Sequence, residues 1–194
     1  MTRSYDVMIV GIGGQGTILA SNILGEACLI EGRHIKGAET HGMAQRGGSV
    51  ESQIRIDGEF GPLIEPGHAE LLISFDLLEA LRYSHYLKEG GKMVVNRHLV
   101  IPTSVFTQKI PAPNEDEIIA QLKKFNLCLI DADQIALKAG SPLTQNVVIL
   151  GAASHDLPLK PESLREAVKK LVPQKTVEIN MKAFDLGREF GGTC

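Results

Sequence analysis

Glycine residues are concentrated in one short segment near the start of the chain, GIGGQG at residues 11–16. Three of them follow the spacing G-x-G-x-x-G. A turn of this kind between a strand and a helix lets backbone N–H groups face an anion at the helix N-terminus. The alternative is that the glycines serve only close packing of the strand against the helix. The candidate binding residues are Gly11, Gly13, Gly14, Gln15, Gly16 and Thr17.

A second glycine-rich and polar segment, ETHGMAQRGGS, follows at residues 39–49. His41 would suit acid–base chemistry, and Arg46 would bind a carboxylate or phosphate through its forked guanidinium. Alternatively, both side chains bond to the loop backbone and shape a subunit contact. Because no second catalytic group is placed beside them, we favour a binding or interface role. The candidate residues are Glu39, His41, Gln45, Arg46, Gly47, Gly48 and Ser49.

A dinucleotide site of the NAD type needs more than a glycine turn. It also needs an acidic residue about 20 positions later, at the end of an apolar second strand, to bind ribose hydroxyls. Glu39 is the nearest candidate, but HIKGAE at residues 34–39 is a poor strand. We therefore interpret residues 34–50 mainly as a long loop and expect neither NAD nor FAD.

The rest of the chain alternates strand-like and helix-like segments. Apolar runs predict buried strands at residues 7–10, 70–75, 92–96 and 127–131. Apolar residues at helical spacing predict helices at residues 17–29, 76–88, 161–171 and 177–186. A capping box of Asn114 and Glu117 predicts a further helix to about Phe125, and Asp133 and Ser141 resemble caps of two more.

One part of the pattern predicts antiparallel pairing. Residues 49–56 alternate apolar and polar side chains, and the Asp-Gly pair at residues 57–58 is typical of a hairpin turn. A Gly-Gly pair at residues 90–91 is expected to end the preceding helix. The sequence thus predicts an α/β fold, a three-layer α/β/α Rossmann-like sandwich with a mostly parallel sheet and an antiparallel hairpin excursion. We expect residues 1–194 to form one domain.

Composition excludes several classes of protein. The net charge of -3 comes without a basic cluster, which argues against nucleic acid, and no stretch reaches the ~20 apolar residues that span a bilayer. No secretory signal is evident, so we expect a cytoplasmic protein. The scattered histidines lack metal-ligand spacing, and we assign no metal to the chain.

The three cysteines, Cys28, Cys128 and Cys194, lie far apart in the sequence. Their odd number and their spacing argue against a disulfide framework and against a local zinc or iron–sulfur motif. We expect Cys28 and Cys128 to be small buried apolar side chains and Cys194 to be exposed.

Three motifs resemble the small (beta or gamma) subunits of 2-oxoacid:ferredoxin oxidoreductases. They are GIGGQG at residues 11–16, HGMAQRGGSV at residues 41–50 and VEINMKAF at residues 177–184. The likeness runs from Tyr5 to about Gly187. HGMAQRGGSV is the most specific motif and favours the indolepyruvate branch of the family over the pyruvate branch.

The resemblance implies an enzyme that decarboxylates a 2-oxoacid, here indolepyruvate or another aryl pyruvate, on thiamine diphosphate. Electrons then pass through iron–sulfur clusters to ferredoxin, and the acyl group passes to coenzyme A. This chain has no cysteine set for a cluster and no acidic motif for a metal–diphosphate. The resemblance therefore implies that a partner alpha subunit holds thiamine diphosphate, Mg and the Fe-S clusters, and that the isolated chain is inactive.

Within that family role, residues 11–16 are our candidate contact for coenzyme A phosphates, and residues 39–49 are expected to face the partner's active site. Two other functions stay open. A stand-alone oxidoreductase would bind NAD(P) or a flavin by itself. A purely structural assembly subunit would bind no small molecule but would associate tightly with the alpha subunit.

Overall fold

The computed structural model describes residues 4–42 and 47–194. Within these residues the strands are β1 (Tyr5–Ile12), β2 (Ile35–His41), β3 (Ser49–Ile56), β4 (Ala69–Ser74), β5 (Leu87–Asn96) and β6 (Asn126–Ile130). The α-helices are α1 (Thr17–Ile30), α2 (Leu77–Tyr83), α3 (Thr103–Gln108), α4 (Glu115–Leu122), α5 (Ala132–Ala139), α6 (Gln145–Ala153), α7 (Pro161–Leu171) and α8 (Val177–Gly191). Short 3-10 helices cover Ser84–Tyr86, Pro142–Thr144 and Gln174–Thr176.

The strands form one sheet in the order β2-β3-β1-β4-β5-β6. The pairs β1–β4, β4–β5 and β5–β6 are parallel, whereas β3 pairs antiparallel with both β1 and β2. Helices cover both faces. This arrangement confirms the predicted three-layer, mostly parallel sandwich with an antiparallel excursion.

Strand β1 lies in the middle of the sheet, and its side chains contribute to the hydrophobic core on each face. Val7 and Ile9 pack into the core on the α1 side, while Met8 and Val10 pack into the core on the α2 side. Successive side chains of a strand point to opposite faces, so a strand that is covered on both faces must be apolar at every position. This requirement explains the continuous apolar run at residues 7–10.

The two helical layers differ in size. Helices α1, α5, α6, α7 and α8 cover one face of the sheet, and α2 and α4 cover the other. Helices α6 and α8 approach so closely that a Cβ on Gly187 would overlap the Val148 carbonyl, and a Cβ on Gly151 would overlap the Phe184 carbonyl. These two glycines therefore set the distance between the two helices.

The prediction of a long loop over residues 34–50 is wrong for its first part. Strand β2 pairs antiparallel with β3 at the edge of the sheet. An edge strand with an exposed side tolerates polar residues that a central strand would not, which is why the rule for an apolar second strand missed it.

The hairpin turn predicted at residues 57–58 and the helix end predicted at residues 90–91 are also wrong. Asp57 follows β3, but the chain does not fold back there into a hairpin, because the next strand, β4, pairs with β1 instead. Gly90 and Gly91 lie inside β5 rather than at the end of a helix, since α2 ends at Tyr83. Contacts made far along the chain override these local turn signals.

The predicted helix starts are mostly correct. Asn114 caps α4 by accepting from the N–H groups of Asp116 and Glu117, and Ser141 caps the turn at Pro142–Thr144. The cap of α5 is Asp131, two residues before the predicted Asp133.

The cysteine prediction is wrong in one respect. Cys128 on β6 and Cys194, three residues beyond the end of α8, form a disulfide with a Cα–Cα distance of 5.3 Å. Helix α8 packs over the sheet and carries its end back to β6, and a separation of 66 residues leaves no sequence signal of this approach. Cys28 is free and buried, as predicted.

Among the helices in the described part of the chain, none combines the length and the apolar character needed to cross a bilayer.

Candidate functional site

The glycine turn follows the carboxyl end of β1, at the point where the helices after two neighbouring parallel strands pack on opposite faces of the sheet. After β1 the chain enters α1 on one face, whereas after the neighbouring β4 it enters α2 on the other face. Loops that leave neighbouring strands toward opposite faces diverge, so a crevice is expected between the ends of the two strands. In open α/β sheets this crevice is the usual ligand site.

The turn is held by its own backbone and by one side chain. Gln15 donates its N–H to the Ile12 carbonyl at 3.1 Å, and the Gln15 Oε1 accepts from the Ile12 N–H at 2.7 Å. Gly14 and Gly16 have φ values of 106° and 86°, which favour glycine at both positions. Gly16 also lies against Asn146 of α6, whose Nδ2 is 3.4 Å from the Gly16 oxygen.

Two polar atoms inside the turn have no hydrogen-bond partner among the described residues: Gln15 Nε2 and Thr17 Oγ1. Both atoms are buried, and Thr17 is only 3% exposed. Thr17 is the first residue of α1, which has no side-chain cap within the described structure. An uncapped helix start beside unpaired buried polar groups is suited to binding an anion, because each unmade bond costs free energy until a ligand supplies it.

The structure brings the two sequence-predicted segments together. The Gly13 N–H donates to the Gly48 carbonyl at 2.8 Å, and Ser49 pairs with Ile12 in the antiparallel register of β3 and β1. Gly47, Gly48 and Ser49 therefore form one wall of the glycine turn. The predicted site residues Gln45 and Arg46 lie outside the described part of the chain, and so does the side chain of His41.

Glu39 is not part of this arrangement. It lies exposed on β2 and lines a groove between β2 and α1 with Asn22 and Leu171. Strand β3 separates β2 from β1, so Glu39 is two strands, roughly 10 Å, from β1. In an NAD site the acid-bearing strand lies directly beside the first strand. This geometry does not fit ribose recognition by Glu39.

A buried polar group that the sequence prediction missed lies on α2, within hydrogen-bond distance of Ser49. Glu79 is 1% exposed, and its Oε2 accepts a hydrogen bond from Ser49 Oγ. The Tyr83 hydroxyl is 3.3 Å from the same Ser49 oxygen. Burial raises the pKa of the Glu79 carboxyl and raises that of Tyr83 to about 12. The hydrogen bond from Ser49 to Glu79 therefore joins α2 to the wall of the glycine turn.

The sequence did carry a signal near Glu79, although it points to helix capping. Asp76 and Glu79 have the spacing of a capping box, in which the glutamate would bond to the N–H of the cap residue. In the structure Asp76 caps α2 by accepting from the N–H groups of Leu78 and Glu79, but Ser74 Oγ lies 3.3 Å from the Asp76 nitrogen. Ser74 thereby takes the role that the motif assigns to Glu79, and the Glu79 carboxylate is free to bind Ser49.

The described residues do not fit a metal or cluster site. Cys128 and Cys194 are bonded to each other and Cys28 is buried alone, so no set of thiolates is available. The described side chains also include no group of three or more potential metal ligands. The glycine turn instead contains backbone N–H groups, the buried Thr17 hydroxyl and the buried Gln15 amide, which are groups that can donate to anions.

Comparison with known proteins gives consistent matches over nearly the whole chain. A family model described as pyruvate ferredoxin/flavodoxin oxidoreductase matches residues 6–190. The chain is 39% identical over 191 residues to the indolepyruvate oxidoreductase subunit IorB of Pyrococcus horikoshii, with 95% of each chain covered. It is 33% identical over 186 residues to the pyruvate/ketoisovalerate oxidoreductases common subunit gamma of Thermococcus litoralis, with 92% of each covered.

A solved structure is similar as well. The gamma subunit of a keto/oxoacid ferredoxin oxidoreductase from Geobacter sulfurreducens PCA superposes with a TM-score of 0.72 at 28% identity. The match covers 98% of this chain and 99% of that subunit.

Proposed function

The chain belongs to the pyruvate ferredoxin/flavodoxin oxidoreductase family, and on that premise we propose that it is the small subunit of a 2-oxoacid:ferredoxin oxidoreductase. The resemblance seen in the sequence motifs is thereby confirmed. The complete reaction converts a 2-oxoacid and coenzyme A into acyl-CoA and CO₂, and it releases a proton and an electron pair that ferredoxin accepts. The relatives are named as subunits, so this chain works within a multi-subunit complex.

The proposed partner is an alpha subunit that carries thiamine diphosphate, Mg and the Fe-S clusters. This division of labour is supported by the cysteines of this chain, since two are joined in a disulfide and the third is buried. The small subunit contributes its crevice instead. In this proposal the wall formed by Gly47, Gly48 and Ser49 faces the partner's active site.

The glycine turn is proposed to bind the phosphate groups of coenzyme A. One observation carries this proposal: Thr17 Oγ1 and Gln15 Nε2 are buried, without hydrogen-bond partners among residues 4–42 and 47–194, beside a start of α1 that has no side-chain cap there. A phosphate oxygen bound here would accept bonds from both side chains and from the N–H groups of the first helical turn, which no side chain of the described residues caps.

Indolepyruvate or a related aryl 2-oxoacid is the proposed substrate. The support is the higher identity to an indolepyruvate oxidoreductase subunit, 39%, than to a pyruvate/ketoisovalerate subunit, 33%. The proposed binding of coenzyme A at the glycine turn gives no information on which 2-oxoacid is the substrate.

The proposed function is tested by purifying the chain with its alpha subunit and measuring reduction of a viologen dye with aryl and alkyl 2-oxoacids. We expect reduction that requires coenzyme A and is fastest with an aryl substrate, whereas the isolated chain is inactive. Dye reduction by the isolated chain with NAD(P)H would contradict the assignment. Full activity of the alpha subunit alone, with an unchanged KM for coenzyme A, would indicate a purely structural subunit.

Thr17→Val gives a prediction in which stability and affinity change in opposite directions. Valine has the same shape but lacks the hydroxyl. Because Thr17 Oγ1 has no partner among the described residues, we expect the unliganded chain to gain about 1 kcal/mol of stability. Loss of a ligand bond should raise the KM for coenzyme A about five- to tenfold. Urea unfolding of the chain and steady-state kinetics of the complex measure the two effects.

The matched control is Thr144→Val. Thr144 is equally buried, at 3% exposure, but its hydroxyl donates to the Ser141 carbonyl at 2.8 Å. The same substitution there should cost about 1 kcal/mol and leave the KM for coenzyme A unchanged. If Thr17→Val also leaves that KM unchanged, the Thr17 hydroxyl does not contact the ligand.

A further inference from the structure

Glu79 of α2 is a buried acidic residue whose carboxylate bonds to another element of the fold. It is almost completely buried, its Oε2 accepts from Ser49 Oγ, and its Oε1 lies 3.3 Å from the Arg82 guanidinium. Arg82 is about half exposed, so this ion pair is screened by water and is weak. The bond from Ser49 is the one hydrogen bond that the carboxylate makes to another element among the described residues.

A buried carboxylate is costly unless it has a role. Removing such a group from water costs several kcal/mol unless hydrogen bonds replace the water, and burial raises the pKa of Glu79 accordingly. Helix α2 does not need the group as a cap, because Asp76 already accepts from the N–H groups of Leu78 and Glu79. An apolar side chain would fill this position at lower cost, so the reason for the carboxylate lies in its contact with Ser49.

Ser49 connects this carboxylate to the glycine turn. It is preceded by Gly47 and Gly48, which have no side chains to anchor them, and Gly47 has a φ of 79°. Gly48 nevertheless accepts the Gly13 N–H at 2.8 Å. Backbone made of two glycines has high conformational entropy, so its placement depends on the first anchored residue that follows. That residue is Ser49, whose backbone pairs with Ile12 in the register of β1 and β3 and whose side chain is anchored by Glu79.

We propose that Glu79 is a positioning residue that holds the Gly47–Gly48 backbone against the glycine turn and thereby sets the affinity of the turn for its phosphate-bearing ligand. The carboxylate does not touch the ligand and acts through Ser49. This inference rests on the proposed function for the identity of the ligand, coenzyme A. The positioning itself is a property of the chain alone.

Hydrogen exchange of the full isolated chain tests the positioning without any assay of activity. Glu79→Ala and Ser49→Ala should each raise exchange at the Gly13 amide about tenfold, because its bond to Gly48 opens more often. Glu79→Gln keeps an oxygen that accepts from Ser49 and should protect that amide nearly as well as the native residue. Unchanged exchange in both alanine variants would overturn the proposal.

The control is Glu70→Ala. Glu70 is another acid in an ion pair, with Lys88, although it is less buried than Glu79, and it accepts from the Asp6 N–H at the opposite end of the sheet. Its loss should lower stability without changing exchange at Gly13. Greater exchange at Gly13 in Glu70→Ala would show that general destabilisation, rather than positioning, explains the Glu79 result and would refute the inference.

Kinetics of the complex with the alpha subunit test the consequence for the ligand. Glu79→Ala should raise the KM for coenzyme A about tenfold with kcat within about twofold, and Glu79→Gln should restore the KM. Glu79→Ala combined with Ser49→Ala should be no worse than either alone, since both break the same connection. A fall in kcat at constant KM, or additive effects of the two substitutions, would contradict the role.

The two experiments separate the two proposals. If the native complex shows no dependence on coenzyme A, the proposed function fails while the exchange result still decides the positioning. If coenzyme A is required but Glu79→Ala leaves its KM unchanged, the proposed function stands and Glu79 has no role in ligand affinity.

Discussion

Gly14→Asp is expected to raise the KM of the assembled complex for coenzyme A by roughly 30- to 100-fold. Gly14 is the exposed tip of the glycine turn, and a Cβ there meets no atom of the described structure within 4 Å. A carboxylate at this point would therefore fit without a steric clash beside the proposed phosphate site. Two like charges about 6 Å apart at an effective dielectric constant of about 20 repel by about 3 kcal/mol, or roughly a hundredfold in affinity.

Gly14→Asn is the control that isolates the charge. Asparagine has nearly the same shape as aspartate and would experience the same backbone strain at a φ of 106°. We expect its KM for coenzyme A to rise less than about fivefold, and the difference between the two variants to shrink at high salt as the charges are screened. Equal effects of Asp and Asn, or a salt-independent difference, would show that the turn does not hold an anion.

Gly187→Ala is expected to lower the free energy of unfolding by about 3 kcal/mol or more. Gly187 lies on α8 where its Cα faces the backbone of α6, and an added Cβ would overlap the Val148 carbonyl and approach the Val148 Cα at 2.9 Å. The atoms that would have to move belong to a helix backbone, which cannot yield like a flexible side chain. The two helices must therefore separate, and they do so at the centre of the larger core.

The sign of this effect distinguishes packing from helix propensity. In an open helix interior, replacing glycine by alanine stabilises by about 1 kcal/mol. Gly25 on α1 offers this comparison, because a Cβ there meets only the Ile35 side chain, at an ordinary 3.8 Å. Urea unfolding should therefore show Gly25→Ala as more stable than the native chain and Gly187→Ala as much less stable. Stabilisation by both substitutions would rule out the close approach of α6 and α8.

Most of the regular structure could be predicted from the sequence because the signals are local. The run at residues 7–10 is apolar at every position because both faces of β1 are buried, and α7 begins at Pro161 as its periodicity indicates. The failures occurred where pairing partners are distant. Strand β2 was missed because its stability comes from pairing with β3 at the sheet edge, and Gly90–Gly91 was misread because β5 continues through a pair of residues that locally favours a turn.

The cysteines show the same limit. Residues 128 and 194 are joined although nothing near either one indicates a partner. Their approach depends on how α8 crosses the sheet, and that path is set by the packing of whole elements. A local pattern in the sequence therefore does not predict the path of α8.

The candidate site divides in the same way. By itself the sequence determined that a strand-to-helix turn able to face an anion lies within residues 11–16, of which the structure assigns Gly11 and Ile12 to β1, because glycine spacing and the flanking apolar periodicities are visible in consecutive residues. It also singled out the whole second segment, residues 39–49, of which Gly47, Gly48 and Ser49 lie against the glycine turn. Only the tertiary structure decided that Gly48 bonds to Gly13, that Glu39 lies two strands away from β1, and that Glu79 anchors Ser49. These contacts join residues that are 30 or more positions apart or separated by a whole strand. The order of strands in the sheet, rather than any local preference, brings them together or keeps them apart.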